Sequence, residues 1–316
     1  MRISISLLQI EVALLHNEMN RMCDSIRFLN IQEEKKMKFT TKSVSACLLA
    51  SLVLTGCSGG STASSDSTSD ENTLRVGMEC NYAPYNWSTT QSTDTSKKIS
   101  DVDYCDGYDV MMATKLAEKT DKEVEIVKLD WDNLILSLQN DQIDAVIAGM
   151  TATDERKQEA DFTTPYYIST EVVLVKKDSP LAGITSISDL SGKKVVGQMN
   201  TLYDTIIDQI DGVIHEPAAE TFPAAIQALQ AGAVDAVTSE LPVAIGVCQA
   251  NPDLTYIQFE DGKGFSGAEQ DAAVSIAVKK GNTTLLNALQ EALDTISDDE
   301  REEMMLQAVE NQPANE

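Results

Sequence analysis

A short helix–strand sequence occurs twice in the chain and constrains its fold more than any other feature. Leu138-Gln139, three further residues and Ile143-Asp144-Ala145-Val146 recur 91 residues later as Leu229-Gln230, three residues and Val234-Asp235-Ala236-Val237. In both copies a helical pattern ends and the chain passes directly into an apolar strand. Two copies of this unit predict two related α/β lobes. The alternative interpretation is that each copy is only a helix–strand junction, which is common in α/β proteins.

The segments around the first copy alternate between the two periodicities. We predict strands over Leu74–Met78 and Val124–Leu129, helices over Gly107–Thr120 and Asp132–Asn140, and a buried strand over Ile143–Ala148. This alternation indicates open sheets covered by helices.

The ends of the two repeated strands indicate where a ligand binds. In open α/β sheets, ligands bind beyond the carboxyl ends of the strands. The chain reaches that edge at Gly149 in the first copy and at Glu240 in the second. Two such edges that face one another predict a cleft between the lobes.

The charge of residues 57–316 excludes several kinds of partner. These residues carry 17 Lys/Arg and 45 Asp/Glu, which gives a net charge of about −28. Such a charge argues against binding to nucleic acid or to anionic lipid. Residues 57–316 contain no CxxC motif, and His215 is the one histidine among them. We therefore predict that the protein binds no metal and no cofactor.

Cys80 and Cys105 are the best candidates for a disulfide. They flank the polar segment 88–103, which has the composition of a loop insertion. Disulfides persist outside the cytoplasm. The alternative is that all cysteines are reduced and buried.

Residues 37–57 have the pattern of an export signal. Lys38 and Lys42 form a basic flank, Val44–Leu54 is almost wholly apolar, and small residues precede Cys57. Leu54-Thr55-Gly56-Cys57 resembles the lipobox of bacterial lipoproteins, in which the cysteine is diacylated and becomes the N-terminus. The resemblance implies a signal peptide over 37–56 and a lipidated Cys57 on the outer face of a membrane. The alternative is a short hydrophobic helix with a chance cysteine.

The residues on either side of the signal have no globular pattern. Residues 57–73 are mostly Ser, Thr, Gly and Asp, and we expect a flexible tether between lipid and domain. Residues 1–36 are predicted to be a mistranslated leader with Met37 as the true start, because a signal peptide begins at the initiator. Gln32–Glu34 could be encoded by a ribosome-binding sequence, which the gene would show. The alternative is a genuine cytoplasmic extension.

Five longer segments follow one another in the first half of the mature chain. They are Leu74 to Tyr85, Gly107 to Val110, Asp130 to Ile135, Asp144 to Lys157 and Asp161 to Tyr167. This series resembles the polar-amino-acid class of ABC-transporter substrate-binding proteins, and the resemblance covers nearly all of residues 73–316.

The resemblance implies an α/β, two-lobed periplasmic-binding-protein type II fold. Two open α/β lobes are joined by a two-strand hinge, with lobe one at 74–170 and 265–316 and lobe two at 171–264. We expect the two crossovers near Ile168–Glu171 and near Asp261–Ala272. Ligand binding between the lobes shifts them from an open to a closed form.

The resemblance also implies how the main-chain ends of an amino acid are held. Arg156 matches the arginine that binds the α-carboxylate, helped by Thr151, Thr201 and the backbone at Ala148 and Gly149. A guanidinium suits this role because it binds a carboxylate through two parallel hydrogen bonds. Glu240 matches the acidic residue that binds the α-amino group, where many relatives have Asp. Asn200 replaces a usual glycine, and Asn tolerates a left-handed backbone.

Three further matches concern the ligand side chain. Tyr82 and Trp131 match the aromatic pair that brackets it, and Glu79 matches an acidic position at the far end of the pocket. Aromatic faces with a carboxylate favour a cationic side chain. Arginine or lysine is therefore the preferred ligand, although relatives with an acid there also bind glutamine.

These matches predict a monomeric receptor that delivers a polar amino acid to an ABC permease and ATPase, held at the membrane by lipid, and not an enzyme. Two alternatives use the same fold. One is a dehydratase-like enzyme that uses Glu79 or Glu240 as an acid, and the other is a ligand sensor or adhesin.

Overall fold

The computed structural model describes residues 72–267 and 272–313, which form two mixed sheets, a smaller sheet and surrounding helices. In chain order, the strands are β1 (Thr73–Met78), β2 (Asn81–Tyr82), β3 (Asn86–Thr89), β4 (Lys97–Lys98), β5 (Tyr104–Asp106), β6 (Glu123–Lys128), β7 (Ala145–Val146), β8 (Ala160–Ile168), β9 (Glu171–Lys176), β10 (Lys194–Val196), β11 (Ile214–His215), β12 (Ala236–Glu240), β13 (Leu254–Gln258) and β14 (Ala273–Lys279). The α-helices are α1 (Tyr108–Lys119), α2 (Leu134–Gln139), α3 (Arg156–Glu159), α4 (Leu202–Thr205), α5 (Phe222–Ala231), α6 (Leu241–Ala250), α7 (Thr283–Asp294) and α8 (Asp298–Asn311). Short 3-10 helices cover Trp131–Asn133, Pro180–Gly183, Ile187–Leu190 and Ile206–Gln209.

The two larger sheets have the same topology. The first has the order β6-β1-β7-β14-β8 and the second β11-β10-β12-β9-β13. In each, the first three strands are parallel, and the fourth is antiparallel to both of its neighbours. Strand β14 completes the first sheet after the chain has built the second. The predicted two-lobed α/β fold is therefore confirmed.

The repeated aspartates have the same structural role in both sheets. The Asp144 N–H donates to the carbonyl oxygen of Arg75 at 2.8 Å, and its Oδ2 accepts from the Arg75 N–H at 2.8 Å. Asp235 makes the matching pair with Lys194, at 2.8 and 2.9 Å. Each aspartate thus satisfies the backbone at the beginning of the neighbouring parallel strand. The sequence repeat therefore reflects two equivalent units.

Most elements predicted around the first copy are present, with two corrections. Helix α1 buries Val110, Ala113 and Leu116 as its apolar spacing predicts. The predicted helix Asp132–Asn140 is instead a 3-10 turn followed by α2. The buried strand predicted over Ile143–Ala148 is shorter and covers only Ala145–Val146, which is β7. The backbone N–H groups of residues 144 and 147, on either side of it, also donate to β1.

The polar segment 88–103 is more ordered than the predicted loop. It contributes to a small antiparallel sheet with the order β2-β3-β5-β4. A disulfide joins Cys80, just before β2, to Cys105 in β5, with Cα atoms 5.7 Å apart. The bridge therefore ties the chain after β1 to this small sheet.

The chain crosses between the two larger sheets twice. The first crossover lies between Ile168 and Glu171, and the second between Gln258 and Ala273. Phe265 packs with the apolar side chains of the second sheet, and the Ser266 N–H donates to Gln209 at 2.7 Å. The chain thus stays with the second lobe past the boundary predicted at residue 265.

The proposed signal, Cys57 and nearly all of the tether lie outside the described residues. Of the helices in the described ranges, none is both long and apolar enough to span a membrane.

Candidate functional site

The carboxyl ends of four strands lead into one cavity, and a fifth strand ends just behind it. In the first sheet, β1, β6 and β7 run parallel and lead into Glu79, Trp131 and the Ala148–Thr151 turn. In the second sheet, β10 leads into the loop from Gln198 to Thr201 and the first turn of α4, and β12 ends at Glu240. This is the edge at which open α/β sheets bind ligands.

The cavity lies between the two lobes and is lined by polar and aromatic side chains. Its lining consists of Glu79, Tyr82, Trp131, Ala148, Gly149, Thr151 and Arg156 from the first lobe, and Gln198, Thr201, Leu202 and Tyr203 from the second. The volume open to a water-sized sphere is about 20 Å³, which holds about one water molecule. The lobes must therefore separate before a larger molecule can enter.

Arg156 begins α3 and extends across the cleft. Its Nη1 donates to the Thr151 carbonyl oxygen and its Nη2 to the Asn200 carbonyl oxygen, both at 2.8 Å. Its guanidinium carbon lies 5.1 Å from the centroid of the Trp131 ring, a cation–π distance. Burial lowers the pKa of Arg156 to about 10, so the side chain remains charged at neutral pH.

Asn200 is a junction between the lobes. It has a φ of +58°, the left-handed conformation that the sequence predicts for this position. Its carbonyl oxygen also accepts from Trp131 Nε1 at 3.2 Å, and its Nδ2 donates to Asp132 at 2.8 Å. The backbone shape of the second-lobe loop thus determines how it meets the first lobe.

Glu79 and Gln198 meet across the cleft from opposite lobes. Both are buried, and Gln198 Nε2 lies 3.4 Å from each carboxylate oxygen of Glu79. A hydrogen bond of this length is weak. Burial raises the pKa of Glu79, and the amide of Gln198 opposes this effect. A cationic group placed beside Glu79 would stabilise the carboxylate.

Glu240 is fully buried and does not line the cavity. Its Oε1 accepts from the Tyr82 hydroxyl at 2.7 Å and its Oε2 from the Tyr85 hydroxyl at 2.6 Å. Tyr82 does line the cavity, so Glu240 is connected to it through that hydroxyl.

A buried network supports the turn at Gly149, which has a φ of +60°. The Gly149 N–H donates to the Tyr166 hydroxyl at 3.0 Å, and that hydroxyl donates to Asp109 at 2.6 Å. Asn86 donates to the other oxygen of Asp109 at 2.7 Å. Burial raises the pKa of Asp109 to about 7, although the hydrogen bonds to its carboxylate act to lower it.

The structure thus brings together eight of the nine ligand residues predicted from the sequence, and Glu240 lies behind Tyr82. Three residues had no predicted side-chain role: Gln198, Tyr203 and Tyr85. Gln198 and Tyr203 lie within three residues of Thr201, and Tyr85 lies three residues after Tyr82. Their nearness in sequence to predicted residues was the available signal.

Comparison with known proteins agrees with this architecture. The family model of the bacterial extracellular solute-binding proteins, family 3, matches residues 74–307. The arginine-binding extracellular protein ArtP of Bacillus subtilis is 29% identical over 257 residues, covering 81% of this chain and 91% of that protein. The L-cystine-binding protein TcyJ of Escherichia coli is 30% identical over 230 residues, covering 73% and 79%.

Solved structures show the same fold. Two structures of an ancestral arginine-binding protein, one bound to glutamine and one to arginine, each have a TM-score of 0.62 and 31% identity. Each comparison covers 75% of this chain and 97% of the ancestral chain. Since the family model spans both sheets and every residue that lines the cavity, the chain belongs to family 3 of the bacterial extracellular solute-binding proteins.

Proposed function

We propose that this protein is the extracytoplasmic receptor of an ABC importer and binds a polar, preferably basic, amino acid. The observation that carries the proposal is the cavity itself, which contains both a guanidinium and a carboxylate. Arg156 and Glu79 line it together, yet in the described part of the chain they form no ion pair with one another. Such a cavity is complementary to a ligand that carries both charges.

The proposed pose assigns one group of the ligand to each part of the cavity. The α-carboxylate binds Arg156 with Thr151, Thr201 and the backbone at Ala148–Gly149. The α-ammonium lies toward Glu240 and shares its carboxylate with the tyrosine hydroxyls. The side chain extends past Tyr82 and Trp131 to Glu79.

A cationic side chain suits the far end best. Glu79 is buried, and its carboxylate also lies within the electrostatic influence of Asp130 and Asp132. A guanidinium has several N–H donors, and the Glu79 carboxylate and the amide oxygen of Gln198 can accept hydrogen bonds from them. The proteins bound to arginine or named for it support this choice, and the glutamine-bound ancestral protein supports an amide side chain as the alternative.

Closure of the lobes provides the transport signal. The ligand makes contacts from both sheets only when they are together, so binding shifts the equilibrium toward the closed form. The hinge consists of the crossovers near 168–171 and 261–272, and the closed, loaded monomer presents both lobes to the permease and ATPase complex. Lipidation at Cys57 holds it on the outer face of the cell membrane. These roles are those of a receptor rather than an enzyme.

A thermal-shift panel of the standard amino acids tests the proposal, followed by calorimetry on those that raise the melting temperature. We expect L-arginine or L-lysine to give the largest shift. We expect a Kd of about 1 μM, which corresponds to a binding free energy of about −8 kcal/mol. If no amino acid shifts the wild-type protein, the receptor proposal is wrong.

The variant Glu79→Gln tests the preference for a basic side chain. Removing one partner of a buried charge pair costs about 2–5 kcal/mol, so affinity for L-arginine should fall by about 30-fold or more. Affinity for L-glutamine should change little. The exposed Glu123→Gln variant changes the net charge equally and should bind as wild type. Unchanged arginine affinity in Glu79→Gln would show that the side chain does not reach Glu79.

A further inference from the structure

Glu240 is a buried carboxylate held by hydroxyl groups. It is fully buried at the end of β12, and the two hydroxyls that donate to it come from Tyr82 and Tyr85 of the other lobe. Removing a carboxylate from water is costly unless hydrogen bonds or an opposite charge replace its hydration. No ion pair within the described residues includes Glu240, so the tyrosine hydroxyls carry this function.

The remaining neighbours of Glu240 provide no positive charge. The hydroxyls of Ser169 and Tyr203 also face the carboxylate and help to lower the pKa of Glu240, although among the described residues neither makes a hydrogen bond of normal geometry. Tyr167 and the acidic Asp109 lie within its electrostatic influence, and Glu171 is its cross-strand partner in β9. Burial raises the pKa of Glu240, and the tyrosine hydrogen bonds oppose this.

Tyr85 is fixed more firmly than Tyr82, because every side of it is packed. Its ring is fully buried and contacts the rings of Tyr82, Tyr108 and Tyr167 at centroid distances of 5.7, 6.1 and 6.1 Å. Its carbonyl oxygen accepts from the Asp109 N–H at 2.7 Å. Gly107 passes so close that an added Cβ would lie 2.5 Å from that oxygen. Tyr85 does not line the cavity, and its hydroxyl donates to Glu240, so the hydroxyl acts through that carboxylate.

We propose that Tyr85 is a positioning residue for the ligand's α-ammonium: it holds the Glu240 carboxylate charged and oriented when the lobes close. A carboxylate has about four acceptor positions, so two hydroxyl donors leave room for an ammonium. The contact joins the lobes in the arrangement described here, so its loss destabilises that arrangement whether or not a ligand is bound. This inference rests on the proposed function, since it assumes that the ligand has an α-amino group.

The first experiment needs no ligand. Thermal unfolding of Tyr85→Phe is compared with that of Tyr108→Phe, which loses a buried hydroxyl that donates to a backbone carbonyl oxygen at 3.1 Å. Because the pKa of Glu240 is raised in the folded state, its charge costs stability as the pH rises, and Tyr85 offsets that cost. Tyr85→Phe should therefore lower the melting temperature by about 3–6 °C at pH 8 and by clearly less at pH 5.

The control should show no such pH dependence. Titration of Asp109 also contributes between these pH values, and Tyr108 lies within its electrostatic influence, so the contribution of Glu240 is isolated by removing its carboxylate. In a Glu240→Gln background, Tyr85→Phe should also lose its pH dependence, as expected for coupled residues. Equal shifts at both pH values, or an unchanged effect in that background, would overturn the proposal.

The second experiment measures binding with L-arginine as the probe. Tyr85→Phe should weaken binding about tenfold at pH 8, with a steeper loss than wild type as the pH falls, and Tyr108→Phe should bind within about twofold of wild type. Wild-type-like binding by Tyr85→Phe would overturn the positioning role. If the wild type does not bind L-arginine, the ligand assignment fails, and the unfolding experiment still decides whether Tyr85 controls the charge of Glu240.

Discussion

Replacing Arg156 with alanine should abolish detectable binding of the amino acid identified in the panel. The guanidinium is the cationic group lining the cavity, and in this structure both its terminal nitrogens already donate to carbonyl oxygens at 2.8 Å. A ligand carboxylate would exchange these for two parallel hydrogen bonds in which both the donor and the acceptor are charged, a stronger interaction. Loss of a buried charged partner costs about 2–5 kcal/mol, or about 30-fold to several thousand-fold in Kd. Isothermal titration calorimetry measures this directly.

Two further variants make the result specific. Lys157→Ala removes the neighbouring positive charge, which is exposed and lies 3.5 Å from Asp154. An exposed pair of this kind contributes little, so binding should remain near wild type. Arg156→Lys keeps the charge but not the planar fork, and its affinity should be intermediate. Near-normal affinity in Arg156→Ala would remove the carboxylate assignment and with it the proposed pose.

The fold was predictable because its information is local and repeated. The Asp144 and Asp235 copies each mark a helix end, a buried strand and the backbone contact to the neighbouring parallel strand. Because each aspartate bonds the backbone of the neighbouring parallel strand in the same way, the two copies fold into the same helix–strand arrangement. The left-handed backbone at Asn200 agrees with the resemblance instead, since Asn there replaces a usual glycine and tolerates this conformation.

The site was less predictable where it depends on contacts between lobes. The hydrogen bonds of Glu240 join residues that are 158 and 155 positions apart in the chain, and no periodicity links them. The same holds for Gln198 and Glu79, at a separation of 119. Sequence resemblance predicts that Glu240 is a ligand residue, but its burial behind Tyr82 follows from how the lobes meet.

Removing the Cys80–Cys105 disulfide should destabilise the protein and weaken ligand binding together. The cysteines are 25 residues apart, and closing a loop of this size stabilises a fold by about 3 kcal/mol. For a domain of this length, that corresponds to a fall of about 6–12 °C in melting temperature. Cys80 has a φ of +50°, an unfavourable conformation for a residue other than glycine. Without the bridge, the backbone between Glu79 and Tyr82 is free to relax, so affinity should fall as well.

The double variant Cys80→Ser, Cys105→Ser is best compared with Cys248→Ser. Cys248 is a free cysteine on α6, and burial raises the pKa of its thiol to about 12, so it remains a protonated thiol at neutral pH. Its replacement should leave affinity unchanged and cost about 1 kcal/mol or less. Equal melting temperatures for the two variants would show that the bridge does not stabilise the fold. A fall in melting temperature with unchanged affinity would show instead that the small sheet alone, without the disulfide, keeps Glu79 and Tyr82 in place.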